Sequence, residues 1–194
     1  MKKTLPIIFA CMGLMTTLFA EEAVTPYYLK SFDSFNWLNG SGSSDGDVSF
    51  RPGYMGALAV GYKLQPGVIS RVELELAYRK NSVDHLTDFY GDIYYINGRT
   101  ESTSLFVNTY YDFYNCSRFT PYIGVGAGYT HTSANLFDQY VSVDGTSHGF
   151  TTQFIAGVNT RITERLDLGL EYRYHLGRSN YHEQNLGVTL SINI

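Results

Sequence analysis

Leu166-Asp167-Leu168-Gly169-Leu170-Glu171-Tyr172-Arg173-Tyr174 decides the fold. Every second residue is aliphatic or aromatic, and those between are Asp, Gly, Glu and Arg. Successive side chains of a β-strand point to opposite faces, so this run is a strand with one apolar and one charged face. The pattern repeats at the end of the chain, where Leu186, Val188, Leu190, Ile192 and Ile194 alternate with Gly187, Thr189, Ser191 and Asn193. Upstream, Val72, Leu74, Leu76 and Tyr78 alternate with Arg71, Glu73, Glu75, Ala77 and Arg79. Shorter runs surround Leu58–Tyr62, Leu105–Phe113, Ile123–Tyr129 and Phe154–Val158. With a less regular run at Tyr27–Trp37, whose facing the pattern leaves open, the chain reads as eight strands. No stretch of useful length shows helical periodicity.

Composition narrows the class. The chain has 194 residues, of which 16% are charged, with 17 Tyr, 12 Phe and 19 Gly. So much aromatic surface excludes a disordered chain. Two Cys exclude a disulfide scaffold. A net charge of −4 speaks against nucleic acid as a partner. The connections alternate in character: long or polar at Leu38–Arg51, Asn81–Arg99, Thr132–Ser147 and Gly177–His182, tight at Gln65–Gly67, Tyr114–Phe119 and Thr163–Glu164.

Alternation alone does not say which face points inward, but volume does. The apolar faces carry on the order of thirty side chains, and an eight-stranded barrel encloses little more than its own side chains or one small ligand. The apolar face therefore points outward, which only lipid tolerates. Runs of about nine to eleven residues suit strands tilted across a bilayer. Tyr62, Tyr78, Tyr111, Phe113, Tyr129, Tyr172 and Tyr174 fall where aromatic girdles belong. The expected architecture is all-β: an eight-stranded antiparallel up-and-down transmembrane barrel over residues 21–194.

It is preceded by a targeting segment. Lys2 and Lys3 lead into an apolar run that ends at Ala20, before Glu21 and Glu22, the pattern of a cleaved signal peptide over residues 1–20. Cleavage removes Cys11 and leaves Cys116 alone, which reads as an incidental turn residue.

Four stretches, taken together, resemble the eight-stranded outer-membrane β-barrel family that includes the OmpA-type transmembrane domain, Opa-like surface antigens and porin-like proteins. They are Ala59-Val60-Gly61-Tyr62, Arg71-Val72-Glu73-Leu74-Glu75, Pro121-Tyr122-Ile123-Gly124-Val125-Gly126-Ala127-Gly128-Tyr129, and Ala156-Gly157-Val158 followed by Leu168–Tyr174. The resemblance implies a location in the bacterial outer membrane, with loops extracellular and termini periplasmic. It also implies an insertion signal in the last strand, carried here by Asn185, Gly187, Leu190 and Ile192, though Ile194 stands where many such barrels end in Phe. No peptidoglycan-binding domain of the OmpA kind is expected after the barrel.

Four groups of residues are candidates for function. Arg71, Glu73, Glu75, Arg79, Asp112, Arg161, Arg165, Asp167, Glu171 and Arg173, with Lys63, fall on the inward face. Their near balance of sign favours an ion-paired plug over a selectivity filter, which would carry an excess of one sign. His85, His131, His148, His175 and His182 lie toward the loops, at spacings that match no metal-ligand motif. His175 and Ser179 are the residue types of a lipid A deacylase, but four apart and with His175 facing inward, which a nucleophile and its base cannot use. Phe89, Tyr90, Tyr94 and Tyr95 form an aromatic loop suited either to contact or to a small self-packed hairpin.

The function expected is structural or surface-interacting, adhesin- or antigen-like, without catalysis or cofactor. A small porin-like diffusion channel and a lipid A-modifying enzyme are the alternatives. Expected partners are outer-membrane lipid and lipopolysaccharide, the barrel-insertion machinery, and a host or surface ligand at the loops.

Overall fold

The last strand pairs with the first. In the structure, a computed structural model that describes residues 26–39, 46–64, 68–88, 93–94, 97–114, 117–137, 142–177 and 182–194, β1 (Tyr27–Asn39) runs antiparallel to β9 (His182–Asn193), with Leu29 opposite Ile192. Between them come β2 (Gly46–Lys63), β3 (Arg71–Asp88), β4 (Ile93–Tyr94), β5 (Asn97–Asp112), β6 (Phe119–Phe137), β7 (Ser142–Arg161) and β8 (Leu166–Leu176). Each pairs antiparallel with its sequence neighbour, except that β5 returns to β3 and the two-residue β4 only extends the tip of β3. Eight strands thus close a barrel without an open edge, the one way a sheet satisfies its backbone in lipid.

The alternation sorts the side chains as the volume argument requires. Leu58, Val60, Leu74, Leu76, Leu105, Val107, Ile123, Val125, Phe154, Leu168, Leu170, Leu186 and Val188 all lie exposed on the outer wall. Tyr27 and Tyr62 pack edge-to-face at one end of the wall, at 5.0 Å, as do Tyr54 and Tyr78 toward the other, at 6.3 Å.

Two expectations need correction. The strands are longer than the hydrophobic pattern: β2 already starts at Gly46, β3 runs to Asp88, β5 starts at Asn97, β6 reaches Phe137 and β7 starts at Ser142. Much of the expected loops Leu38–Arg51, Asn81–Arg99 and Thr132–Ser147 is therefore paired strand. Beyond the lipid both faces meet water, so the period-two hydrophobic signal stops while the backbone ladder continues.

The inner face is also bulkier than expected. Tyr28, Phe32, Met55, Phe106, Tyr110, Tyr122 and Ile155 are buried in the lumen. Glycines on facing strands make the room: a Cβ on Gly124 would lie 2.6 Å from Tyr110 Cδ1, and one on Gly157 would lie 2.5 Å from Tyr122 Cζ. Residues 1–20, Gln65–Gly67, Cys116 and Ser179 lie outside the described residues.

Candidate functional site

The lumen holds the densest polar chemistry of the chain. Alternation along β3 sends Arg71, Glu73, Glu75 and Arg79 inward, and along β8 it sends Glu171 and Arg173 inward, all buried. At mid-height, Glu171 accepts from Arg173 Nε at 2.6 Å, from Lys30 Nζ at 2.7 Å and from the Tyr122 hydroxyl at 2.6 Å. Arg173 reaches across the barrel to Glu75 at 2.7 Å and lies 4.0 Å over the Phe32 ring. The second oxygen of Glu75 accepts from Asn108, which in turn accepts from Gln153 at 2.6 Å. Glu73 accepts from the Tyr28 and Tyr110 hydroxyls, both at 2.7 Å, with Lys30 at 3.5 Å and Arg71 at 3.7 Å.

Each end of the lumen has its own cluster. Toward the short turns, Arg71 forks onto Asp112 at 2.8 and 2.9 Å, and Ser70 Oγ donates to the same carboxylate at 2.7 Å. Two parallel bonds between guanidinium and carboxylate fix orientation as well as charge. Toward the loops, Arg79 contacts Glu183 at 3.2 Å and donates to Ser104, and Asn36 donates to Glu183 and accepts from Asn81.

Seven of the ten inward charges read from the sequence thus meet in the lumen. The other three stand apart. Arg161 is 71% exposed at the turn-side mouth, with Nε 3.7 Å from Asp167, itself partly exposed. Arg165 lies in the bend between β7 and β8, where its carbonyl accepts from Asn193 N at 2.8 Å. Lys63 sits half-buried at the same mouth, donating to Asn193 at 2.6 Å. The inward expectation is corrected for Arg161: it is the last residue of β7, where the wall ends and its side chain reaches water.

Sequence reasoning missed Lys30 and Glu183. β1 was unreadable because both its faces mix polar and apolar residues. A signal was nevertheless there: a lysine in mid-strand of a lipid-embedded barrel is expensive anywhere but inside, and placing Lys30 inward fixes Tyr28, Phe32 and Asn36 with it. Glu183 fell beside a stretch read as loop.

The remaining candidates are dispersed. His175 is buried in the lumen, with Nδ1 3.0 Å from Asn185 Nδ2. His131 and His148 face one another across β6 and β7 on the outer surface, and His182 stacks on Tyr174 at 5.8 Å. Among the described residues no three His, Cys, Asp or Glu are grouped to hold a metal. Tyr94 lies in β4 opposite Leu86, whereas Phe89, Tyr90 and Tyr95 lie outside the described residues. On β9, Asn185 is buried, Gly187 packs against Ser34 of β1, and Leu190 and Ile192 are partly exposed on the opposite, lipid-side face.

Residues 7–193 match the family described as outer membrane protein beta-barrel domain. The chain is 30% identical over 134 residues to outer membrane protein PagN of Salmonella typhimurium; the match covers 61% of this chain and 55% of PagN, so it spans about half the length of that relative. Its fold is similar to that of Neisserial surface protein A, with a TM-score of 0.59 and 17% identity over 89% of this chain and 100% of the other. OprG of Pseudomonas aeruginosa is similar at a TM-score of 0.52, with 12% identity, over 88% and 97% of the two chains. Ail, the attachment invasion locus protein of Yersinia pestis, gives 0.50 with 11% identity over 87% and 99%. At such identities these three likenesses are of fold alone. With its eight strands closed and nearly its whole length matched, the chain belongs to the outer membrane protein beta-barrel domain family, and its place is the bacterial outer membrane.

Proposed function

We propose that this chain is a non-conducting, non-catalytic barrel that presents its loop end as a surface for interaction. The observation that carries this is the filled lumen. Lys30, Glu73, Glu75, Glu171 and Arg173 are buried and mutually paired across the middle of the barrel. Opening a path there would strand charges in a narrow, low-dielectric space, at several kcal/mol each. A filter for ions would instead line an open path with one sign.

The two ends support an orientation. Ile162–Arg165 turns tightly, and both Tyr27 and Asn193 lie at that end, whereas β2, β3, β6 and β7 extend well past the aromatic residues at the other. Short turns inside and long projections outside are the rule for this class, so we place the termini in the periplasm and the loops outside the cell. Residues 1–20 are then the export signal, and β9 is the strand presented to the insertion machinery, with Asn185, Gly187, Leu190 and Ile192 as its signal. Outer-membrane lipid and lipopolysaccharide surround the wall, and nucleic acid is not a partner.

The charge of the loop end narrows the ligand. Ail has been solved with sucrose octasulfate, a heparin analogue. Here the sequence of residues 38–51, 80–101, 132–147 and 177–182 carries Asp45, Asp47, Asp84, Asp88, Asp92, Glu101, Asp138 and Asp144 against Arg51, Lys80, Arg99 and Arg178. An acidic surface repels a polysulfate and attracts cationic or neutral partners. The test has three arms. Planar-bilayer recording of the purified barrel should show no sustained conductance; a steady open level would restore the channel reading. Cells displaying the protein should bind a cationic surface more than a heparin-coated one, and the reverse preference would overturn the charge argument. Altered lipid A in overproducing cells would revive the enzyme reading.

A further inference from the structure

One carboxylate lies on the wrong face of the wall. The outward row of β1 reads Tyr27, Leu29, Ser31, Asp33, Phe35 and Trp37, and Asp33 is exposed there between Ser31 and Phe35. It pairs in register with Val188 on β9 and Gly56 on β2. Glu73, Glu75, Asp112, Glu171 and Glu183 are inward and bonded, but no described residue donates to the Asp33 side chain.

Next to it the wall is hollow. Ser31, Asp33, Tyr54, Gly56, Tyr78 and Thr103 border an outward notch of about 380 Å³, backed by Ala57 and Ala77. Gly56 differs from the lumen glycines. A Cβ there would meet nothing closer than Asp33 Oδ1 at 3.8 Å and Tyr54 Cε2 at 3.9 Å, so the missing side chain leaves free space instead of seating a neighbour. Polar groups within the lipid-facing zone are costly, and those that persist have a partner.

We propose that this notch is a lipid site, selective for a lipid whose acyl chain carries a hydroxyl group, with the Asp33 carboxyl as its hydrogen-bond partner. The chain lies along Leu58 and Leu76, and its hydroxyl lies beside Asp33 at the β1 side of the notch, where Ser31 is the next outward residue, while Tyr78 and Thr103 close the far side. The hydroxyacyl chains of lipopolysaccharide belong to this chemical class. A second copy of this protein is the poorer occupant. Among the described residues its outward wall offers no cation between the aromatic residues, and Lys80, two residues beyond Tyr78, is already 3.5 Å from Glu101.

Trp37 provides the readout, being the single tryptophan of the chain and on the same outward row as Asp33. The full chain, reconstituted in vesicles of brominated phosphatidylcholine that quench Trp37, is titrated with a lipid bearing 3-hydroxytetradecanoyl chains or with its tetradecanoyl counterpart. The hydroxylated lipid should relieve quenching at concentrations on the order of tenfold lower, the worth of one bond to a carboxylate. Asp33→Leu removes the acceptor and should abolish the preference. Gly56→Leu fills the notch, leaves Asp33 in place, and should abolish it too. Equal titration by both lipids in the unaltered protein, a preference that survives either substitution, or a dimer in sedimentation that excess lipid does not dissociate would each overturn the proposal.

Discussion

The mid-height of the lumen and its loop end are built from the same strands yet are finished differently. In the middle, Glu171 has three donors and Glu73 has two hydroxyls on its carboxylate, with two cations within 4 Å. Two strand positions toward the loops, buried polar atoms stand without a protein partner, among them Arg79 Nε, Asn81 Oδ1, His175 Nε2 and Asn185 Oδ1. A buried ion pair is stabilising only when its remaining lone pairs and protons are also bonded. The paired carboxylates and cations of the middle meet that condition, while the neutral Gln153 Oε1 and Thr189 Oγ1 beside them go unmatched. The loop end does not, and its charged pair shares its surroundings with unmatched polar atoms.

The contrast is broken most severely at Glu171. Glu171→Ala deprives Lys30 and Arg173 of a shared anion, and the folded barrel should lose about 3–5 kcal/mol, read by urea unfolding in lipid vesicles. It should also loosen the lumen, visible as flickering conductance. Pairing it with Lys30→Met should recover part of the loss, because an apolar replacement of a buried pair costs less than a half-removed one. A neutral Glu171→Ala would mean that the middle is no better bonded than the loop end.

One residue along the strand the physics changes sign. Leu170 is exposed on the lipid face, so Leu170→Arg should cost about 2–4 kcal/mol near the midplane while leaving the lumen closed. Leu170→Ala should cost clearly less. Loss of stability together with a rise in conductance for Leu170→Arg would show that the faces of β8 have been assigned backwards.

The loop end should respond more weakly. Glu183→Ala leaves Arg79 its bond to Ser104, so the expected loss is about 1–3 kcal/mol, and conductance should stay at baseline. A loss equal to that of Glu171→Ala would erase the distinction between the two regions.

How much of this could be read beforehand depended on how cleanly a strand separates its faces. β3, β8 and β9 each place aliphatic or aromatic residues on one side and ions or small residues on the other, so their inward residues were legible one by one. β1 places Tyr28 and Phe32 inside and Ser31 and Asp33 outside, which cancels the period-two signal and concealed Lys30, the cation that joins Glu73 to Glu171. The paired partners could not be read at all. Arg173 meets Glu75 across the barrel, 98 positions away, and only closure of the sheet and the tilt of its strands set that meeting. Strand ends failed for a different reason, because the hydrophobic pattern records contact with lipid and not backbone pairing.

The finest test of the contrast between packed lumen and open wall uses two glycines. Gly157 points into the lumen, where a Cβ would stand 2.5 Å from the Tyr122 ring and 2.8 Å from the Leu170 carbonyl. The ring cannot retreat freely, because its hydroxyl is bonded to Glu171 at 2.6 Å and it meets the Tyr110 ring in a T-shaped contact at 5.9 Å between centroids. Gly157→Ala therefore has to shift the network or bend the wall, a strain of about 1–3 kcal/mol by the usual cost of overpacking. Gly56 points outward into the notch beside Asp33, where the same methyl finds ordinary contacts at 3.8 Å and beyond. Gly56→Ala should fall within about 0.5 kcal/mol of the unaltered protein, as surface substitutions do. The two variants add the same methyl to the same kind of strand, so propensity cancels and the difference between them isolates what lies beneath each glycine. Equal stabilities would mean that Tyr122 is not seated against β7, and the glycine spacing of the lumen would then have no packing role.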